Sequence, residues 1–369
     1  MDANPYRSRK IVKELTSALN FAAKGMKKKK IMHVCGTHEH EISRYGLRQL
    51  LPDNIKLIAG PGCPVCITPA SVIVTAIELA IHPDKPILCT YGDMVRVPTS
   101  SPRSGRGSIL DSRGKGADVR VVYSIREALK LAMNNPTRRI IFFSVGFETT
   151  AAPVAAIIQA GLPDNFLIYC CHRYIPAAVE VLTAGDDGNI SGYLLPGHAS
   201  VITGTVPYEF LPKRFNRAAA LAGFEPVDIL VALLSIVRQI KKGQPTVANC
   251  YKRAVRDTGN QKAQELLSEV FNLVDASWRG IGILPGTGFE LKKKYKRLDA
   301  LTYYEMEEIE AEDIIPGCIC HLVLTGQCTP DECKLFGKAC SPLNPRGPCM
   351  VSSEGTCRAH YLYPEEIDV

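Results

Sequence analysis

From about residue 29 to about residue 204, short apolar strings alternate with longer amphipathic stretches. IMHV (31–34), KLIAG (56–60), ILCTY (87–91), DVRVVY (118–123), RIIFFSVG (139–146), FLIYCC (166–171) and GYLL (192–195) are short, continuous and apolar, as buried strands are. Between them, helical signals recur. Ile42, Tyr45 and Leu50 share an apolar face that predicts a helix over 39–51. Thr68-Pro69 is a cap followed by a first-turn proline and predicts a helix to about 81. Ser124 caps another to about 133, a further helix starts at Thr149 or Thr150, and one more covers 176–184.

This alternation predicts an α/β fold with parallel sheets. It runs in two blocks and then gives way to helical patterns near 208–222, 226–242, 245–257 and 261–274. A glycine-rich irregular segment (RGIGILPGTGFEL) and short turns between cysteines follow. The expected organisation is two parallel-sheet α/β domains, 30–137 and 138–206, facing a cleft. A mostly helical, irregular third domain, 1–29 with 207–369, would be built around a metal centre that compensates for a poor core. Residues 92–117 hold little regular pattern and read as a loop that covers or borders a site.

Composition narrows the class. The chain has 369 residues, 46% hydrophobic and 22% charged, which is ordinary for a folded protein. The net charge of +7 comes partly from Lys27 to Lys30 and from Lys292, Lys293, Lys294 and Lys296, read as solvated element ends because no single face of basic residues interleaved with aromatics is found. No apolar stretch reaches the ~18–20 residues of a membrane helix. The first fifteen residues lack the apolar core of a signal peptide, so a cytoplasmic location is expected. Fourteen cysteines are many for such a compartment, and metal or thiol redox chemistry accounts for them better than structural disulfides do.

The chemistry-bearing motifs follow the strands: Cys35-Gly36-Thr37-His38-Glu39, Gly60-Pro61-Gly62-Cys63-Pro64-Val65-Cys66, Gly92-Asp93, Gly146-Phe147-Glu148-Thr149-Thr150, His172 and Pro196-Gly197-His198-Ala199-Ser200. Open parallel sheets bind ligands beyond the carboxyl ends of their strands, so six such motifs point to one cleft. Thr37, Thr149 and Thr150 also suit helix capping. Cys63 and Cys66, on a Gly/Pro-rich loop feeding a helix, read as a redox dithiol, with half a zinc site or an inert pair as alternatives. Cys35 beside His38 and Glu39 is either a nucleophile or a metal-binding thiolate. The last segment offers Cys318, Cys320, Cys328, Cys333, Cys340, Cys349 and Cys357, with glycines and prolines between. Four thiolates on irregular backbone suit an iron–sulfur cluster, and structural zinc is the alternative. No phosphate-binding loop is present, and no nucleotide is expected.

Together, CGTHE (35–39), GPGCPVC (60–66), GDMVRVP (92–98), GFETT (146–150), PGHAS (196–200), GFEPVDIL (223–230) and CMVSSEGTC (349–357) resemble the hydrogenase maturation factor HypD family over residues 30–363. The resemblance implies a scaffold that assembles the Fe(CN)2CO group of nickel–iron hydrogenases, with the small chaperone HypC and with HypE as cyanide donor. It implies iron on Cys35, a redox pair at Cys63 and Cys66, and a cleft lined by His38, Glu148 and His198. It also implies a [4Fe-4S] cluster on Cys318, Cys333, Cys340 and Cys357, with Cys320 and Cys349 as a redox pair beside it. Ala199 stands where the family usually has Val, His321 replaces a usual Gly after Cys320, and Cys328 is an added cysteine. A disulfide oxidoreductase like ferredoxin:thioredoxin reductase is the competing reading. It has no use for Cys35.

Overall fold

The apolar strings form the strands of two parallel sheets in the computed structural model, which describes residues 4–101, 105–186 and 188–364. In chain order the strands are β1 (Lys29–His33), β2 (Ile55–Ala59), β3 (Ile87–Thr90), β4 (Thr99–Ser101), β5 (Gly105–Gly107), β6 (Asp118–Val121), β7 (Ile140–Gly146), β8 (Phe166–His172), β9 (Ile190–Pro196), β10 (Ala218–Ala222), β11 (Val247–Asn249), β12 (Phe271–Trp278) and β13 (Gly282–Leu291). The first sheet has the order β11-β10-β9-β1-β2 and the second β6-β3-β7-β8. Two antiparallel hairpins, β4–β5 and β12–β13, complete the set.

The sheets do not divide where the two sequence blocks do. β1 and β2 join β9 to β11, whereas β3 and β6 join β7 and β8. Each of the blocks 30–137 and 138–206 therefore contributes strands to both sheets. Local alternation marks strands as parallel, but the partner of each strand is chosen by non-local packing. One core cluster runs from Met32 and Ile58 of the first sheet through Val72, Ile73 and Ile77 to Leu88, Ile141 and Phe143 of the second. The opposite face of the first sheet is covered by the N-terminal helix Arg9–Ala23 and the helix Pro226–Lys242. The opposite face of the second carries Ile125–Asn134, Glu148–Ala160 and Gln261–Val270.

Four segments differ from the sequence expectation. The helical pattern over 208–222 splits into a helix Phe210–Phe215 and strand β10. Asn216 ends the helix in the left-handed conformation (φ 53°), which Asn tolerates better than most residues. Alanine favours helices, yet all five residues of β10 are buried between β9 and β11, and packing overrides propensity. Within 245–257 lies β11, an edge strand, rather than a helix. The glycine-rich irregular segment forms most of the β12–β13 hairpin, whose Trp278 is buried with its indole N–H on Thr287 Oγ1 at 2.8 Å. The expected loop at 92–117 contains β4 and β5, with residues 102–104 of it outside the described residues.

Gly192 lets the long helix approach the first sheet. A Cβ there would lie 2.6 Å from Ile236 Cγ2 and 3.0 Å from Ala218 O. Gly192→Ala should destabilise by about 1–3 kcal/mol through overpacking, and Ile236→Ala by about 2–5 kcal/mol through a cavity. Because the two share one space, the double variant should lose less than the sum of the singles in chemical denaturation.

Candidate functional site

The strand registers bring the motif loops side by side. β1 and β2 run level from Lys29↔Ile55 to His33↔Ala59, so the Cys35 turn and the Gly60–Cys66 loop leave the sheet together. Cys35 is extended (φ −154°) and caps the helix Gly36–Arg44. The Gly62 Cα approaches it so closely that a Cβ would lie 2.1 Å from the Cys35 amide nitrogen. Cys63 caps the short helix Pro64–Ile67 and its sulfur accepts from the Cys66 amide at 3.2 Å. Cys63 and Cys66 are joined as a disulfide, both buried.

The end of β9 adds His198, whose Nδ1 is 3.7 Å from Cys35 Sγ. A cleft of about 310 Å³ opens there, lined by Thr37, Pro64, Phe147, Thr149, Thr150, His198, Phe224 and Glu354. Burial is the main force on its titrating groups. It pushes the Cys35 thiol up to about 12, aided by the Glu354 carboxylate and opposed by the backbone N–H groups of His38 and Thr37. The N-terminus of the helix that Cys35 caps favours the thiolate, but the desolvation of a buried sulfur outweighs it. Burial also lowers His198 to about 4, leaving a neutral imidazole at pH 7.

Two residues expected in the cleft lie one layer away from it. His38 donates from Nε2 to Gly223 O at 2.9 Å and packs on Phe224, with burial lowering it to about 3. Glu148 turns to the next helix, Ile175–Ala184, where its Oε1 accepts from the Ile175 amide at 2.8 Å. Its Oε2 is buried without a partner, and burial raises its carboxyl to about 8. Glu39 anchors a buried network: it accepts from Ser43 and from Arg48 at 2.8 Å, and lies 2.7 Å from His33 and 3.4 Å from His360. Burial pushes this carboxyl up, yet Arg48, His33 and His360 hold it well below the usual carboxylate range. His172 pairs with Ser144 at 2.7 Å inside the second sheet and does not reach the cleft lining.

The C-terminal segment closes the arrangement. Thr37 donates to Glu354 at 2.6 Å, and Asp93 accepts from Ser352 Oγ and the Ser353 amide, each at 3.1 Å. The helix Pro348–Val351, which carries Cys349, packs on the disulfide helix Pro64–Ile67. Beyond it, Cys318, Cys320, Cys333, Cys340, Cys349 and Cys357 line one pocket whose other lining residues are apolar or glycine. Thiol contacts run Cys318–Cys320–Cys349–Cys357. Cys320 accepts from both neighbouring thiols and is drawn toward the thiolate, while Cys318 and Cys349 are pushed up. A Cβ on Gly347 would sit 2.9 Å from Cys318 Sγ, so only glycine leaves this wall open. Among the described residues, no three His, Cys, Asp or Glu side chains converge on a single ion position. The donor set, six thiols on irregular backbone in apolar surroundings, fits an iron–sulfur cluster. No spatial boundary separates the four expected ligands from the expected pair. Cys328 faces a different pocket, with Lys56 and His360.

Sequence reading missed Phe224, Glu354 and His360. Glu354 and Phe224 lay inside the quoted strings CMVSSEGTC and GFEPVDIL, but nothing local tied either to Cys35.

This is a two-sheet α/β protein that sets a buried thiol, a disulfide and a thiol-lined pocket side by side at one end of its sheets. A family described as Hydrogenase formation hypA family, HypD, matches residues 10–364. The hydrogenase maturation factor HypD2 of Bradyrhizobium diazoefficiens is 43% identical, covering 98% of this chain and 96% of its own. A putative hydrogenase expression/formation protein of Methanocaldococcus jannaschii is 43% identical (96% and 98%), and the hydrogenase maturation factor HypD of Escherichia coli 41% (96% and 94%). The chain belongs to the HypD family, and its role is in hydrogenase maturation. No helix among the described residues is long and apolar enough to cross a membrane.

Glu148 yields a pH prediction. Its folded value of about 8 lies above its ordinary 4.5. The unfolded chain therefore releases this proton first, and stability falls as pH rises between those values. Glu148→Gln keeps the acceptor for Ile175 and removes the titration. Its melting temperature should exceed the parent's at pH 8 and match it near pH 4.5, as read by thermal unfolding at both.

Proposed function

We propose that this chain holds an iron ion, its cargo, on the Cys35 thiolate while cyanide and carbon monoxide are attached, building the Fe(CN)2CO group of nickel–iron hydrogenases. The observation that carries this reading is the contact of two loops at Gly62. It lays a lone buried thiol, with His198 at 3.7 Å, against a separate disulfide. A reductase needs the disulfide and has no use for the lone thiol.

Cys35 is protonated until a cation arrives, because burial disfavours its anion. Iron binding must release that proton, since only the thiolate ligates. His198, 3.7 Å from the sulfur, would relay it to solvent rather than keep it, because burial holds the imidazole neutral. One thiolate is a poor cage for iron. A second, supplied by the small chaperone HypC, would make cargo binding and complex formation interdependent, with HypE as the cyanide donor. Phe147 and Phe224 in the cleft lining limit water around the cargo. The Cys63–Cys66 disulfide takes up two electrons and two protons to become two thiols. Cys318, Cys333, Cys340 and Cys357 would hold a [4Fe-4S] cluster, with Cys320 and Cys349 against it; such a cluster supplies one-electron transfer. The work is that of a scaffold with thiol redox chemistry, in the cytoplasm.

The test is Cys35→Ala, purified anaerobically with its small partner. Infrared bands of iron-bound cyanide and carbon monoxide should vanish. The visible absorption of the cluster and the reducibility of Cys63–Cys66 should persist. Bands of full intensity in this variant would remove Cys35 from the iron site and favour the reductase.

A further inference from the structure

Arg279 is a buried cation whose guanidinium makes no direct ion pair among the described residues. It sits at the tip of the β12–β13 hairpin and is 2% exposed. Its backbone amide donates at 2.9 Å to the carbonyl of Ile67, the last residue of the disulfide helix. Its guanidinium donates from Nε to Asp313 O at 2.8 Å and from Nη2 to Pro98 O at 3.1 Å. Both acceptors are neutral carbonyls. Nη1 is buried with no partner. The one carboxylate nearby, on Asp313, is taken up by backbone donors: Oδ1 accepts from the Ala70 amide at 2.7 Å and Oδ2 from the Gly280 amide at 3.0 Å. The hairpin tip itself abuts the wall of the thiol pocket: a Cβ on Gly280 would lie 2.6 Å from Cβ of His321, the residue after Cys320. The thiols of Cys320, Cys318 and Cys349, with the Asp313 carboxylate, are the groups whose charge acts on the guanidinium.

Buried charges are ordinarily paired, because an isolated ion in a low-dielectric interior is strongly disfavoured. Arginine keeps its proton in proteins, so it does not escape by neutralising. The fold therefore fixes a cation, offset only in part by Asp313, at the wall of the thiol pocket. We propose that Arg279 is the countercharge of an anionic thiolate–metal group in that pocket, and that it sets how readily this group accepts an electron. The inference rests on the reading that the pocket holds an iron–sulfur cluster. Reduction adds negative charge, and a fixed cation nearby stabilises the reduced form; net charge and hydrogen bonds at the sulfurs are the protein's levers on cluster potential. Arg279 acts through the ligating sulfurs and is a positioning residue. The hydrogen bond from its backbone N–H to the Ile67 carbonyl also ties the charge to the disulfide helix, so the two redox sites share one fixed neighbour.

The experiment uses the anaerobically purified full chain and two variants, Arg279→Lys and Arg279→Gln. The probe is redox titration of the cluster, read by visible absorption and electron paramagnetic resonance. At a fixed poise, Arg279→Gln should lower the ratio of reduced to oxidised cluster about tenfold, which is about 59 mV for a one-electron couple. Arg279→Lys should stay near the parent ratio. Loss of the cluster in Arg279→Gln with retention at parental ratio in Arg279→Lys would also support the countercharge. A parental ratio in Arg279→Gln overturns the inference and leaves the cluster reading standing. Loss of the cluster in both variants overturns it too, since the side chain then serves shape rather than charge. A parent protein with no iron–sulfur absorption overturns the reading and the inference together.

Discussion

The close approach of two strand-end loops is the constraint on which the site depends. Gly62 lies against the backbone of Val34 and Cys35, and any Cβ at that position would overlap main-chain atoms that have nowhere to go. The absence of one side chain is what brings the disulfide helix beside the Cys35 turn. The same device recurs across the C-terminal segment. A Cβ on Gly36 would meet Glu354, and one on Gly355 would lie 2.1 Å from Cys349 O. Three close approaches at glycine thus weld the lone thiol, the disulfide and the thiol pocket into one unit. Their elements are drawn from residues more than 300 positions apart.

Electrostatics then gives each group its state. The interior disfavours charge, so Cys35 keeps its proton and His38 and His198 stay neutral. Glu39, on the helix that Cys35 caps, stays charged all the same, and its anion survives because Arg48, His33 and His360 surround it. That network also fixes geometry. Glu39 lies on the helix that Cys35 caps, and His360 on the helix that holds Cys357, so one carboxylate connects the Cys35 helix to the thiol pocket's wall. On the proposed reading, a thiol held protonated by burial would couple metal uptake to proton release, which suits a site that must both take and surrender its cargo.

Much of this was legible in the sequence because it is local. Buried strands such as IIFFSV are continuous apolar runs, and the motifs at their ends are contiguous strings. The β10 strand was not, since AAALA carries a helical preference that only its position between β9 and β11 reverses. Sheet membership was hidden for the same reason: β1 pairs with β9 across some 160 residues, and no periodicity encodes that choice. His38 and Glu148 were read as cleft residues because they adjoin cleft motifs. A helix turns successive side chains about 100° apart, so Thr37 faces the cleft while His38 faces Gly223. The burial that raises Cys35 could not be read from a string that also promised a helix N-terminus.

The account stands on the thiol pocket being an iron–sulfur site beside a separate cargo site. The most direct measurement is quantitation of iron, acid-labile sulfide and zinc in protein purified without oxygen. The account predicts about four irons and four sulfides per chain in the pocket, as four cysteine thiolates hold them, with no stoichiometric zinc. One zinc per chain with neither iron nor sulfide would contradict it.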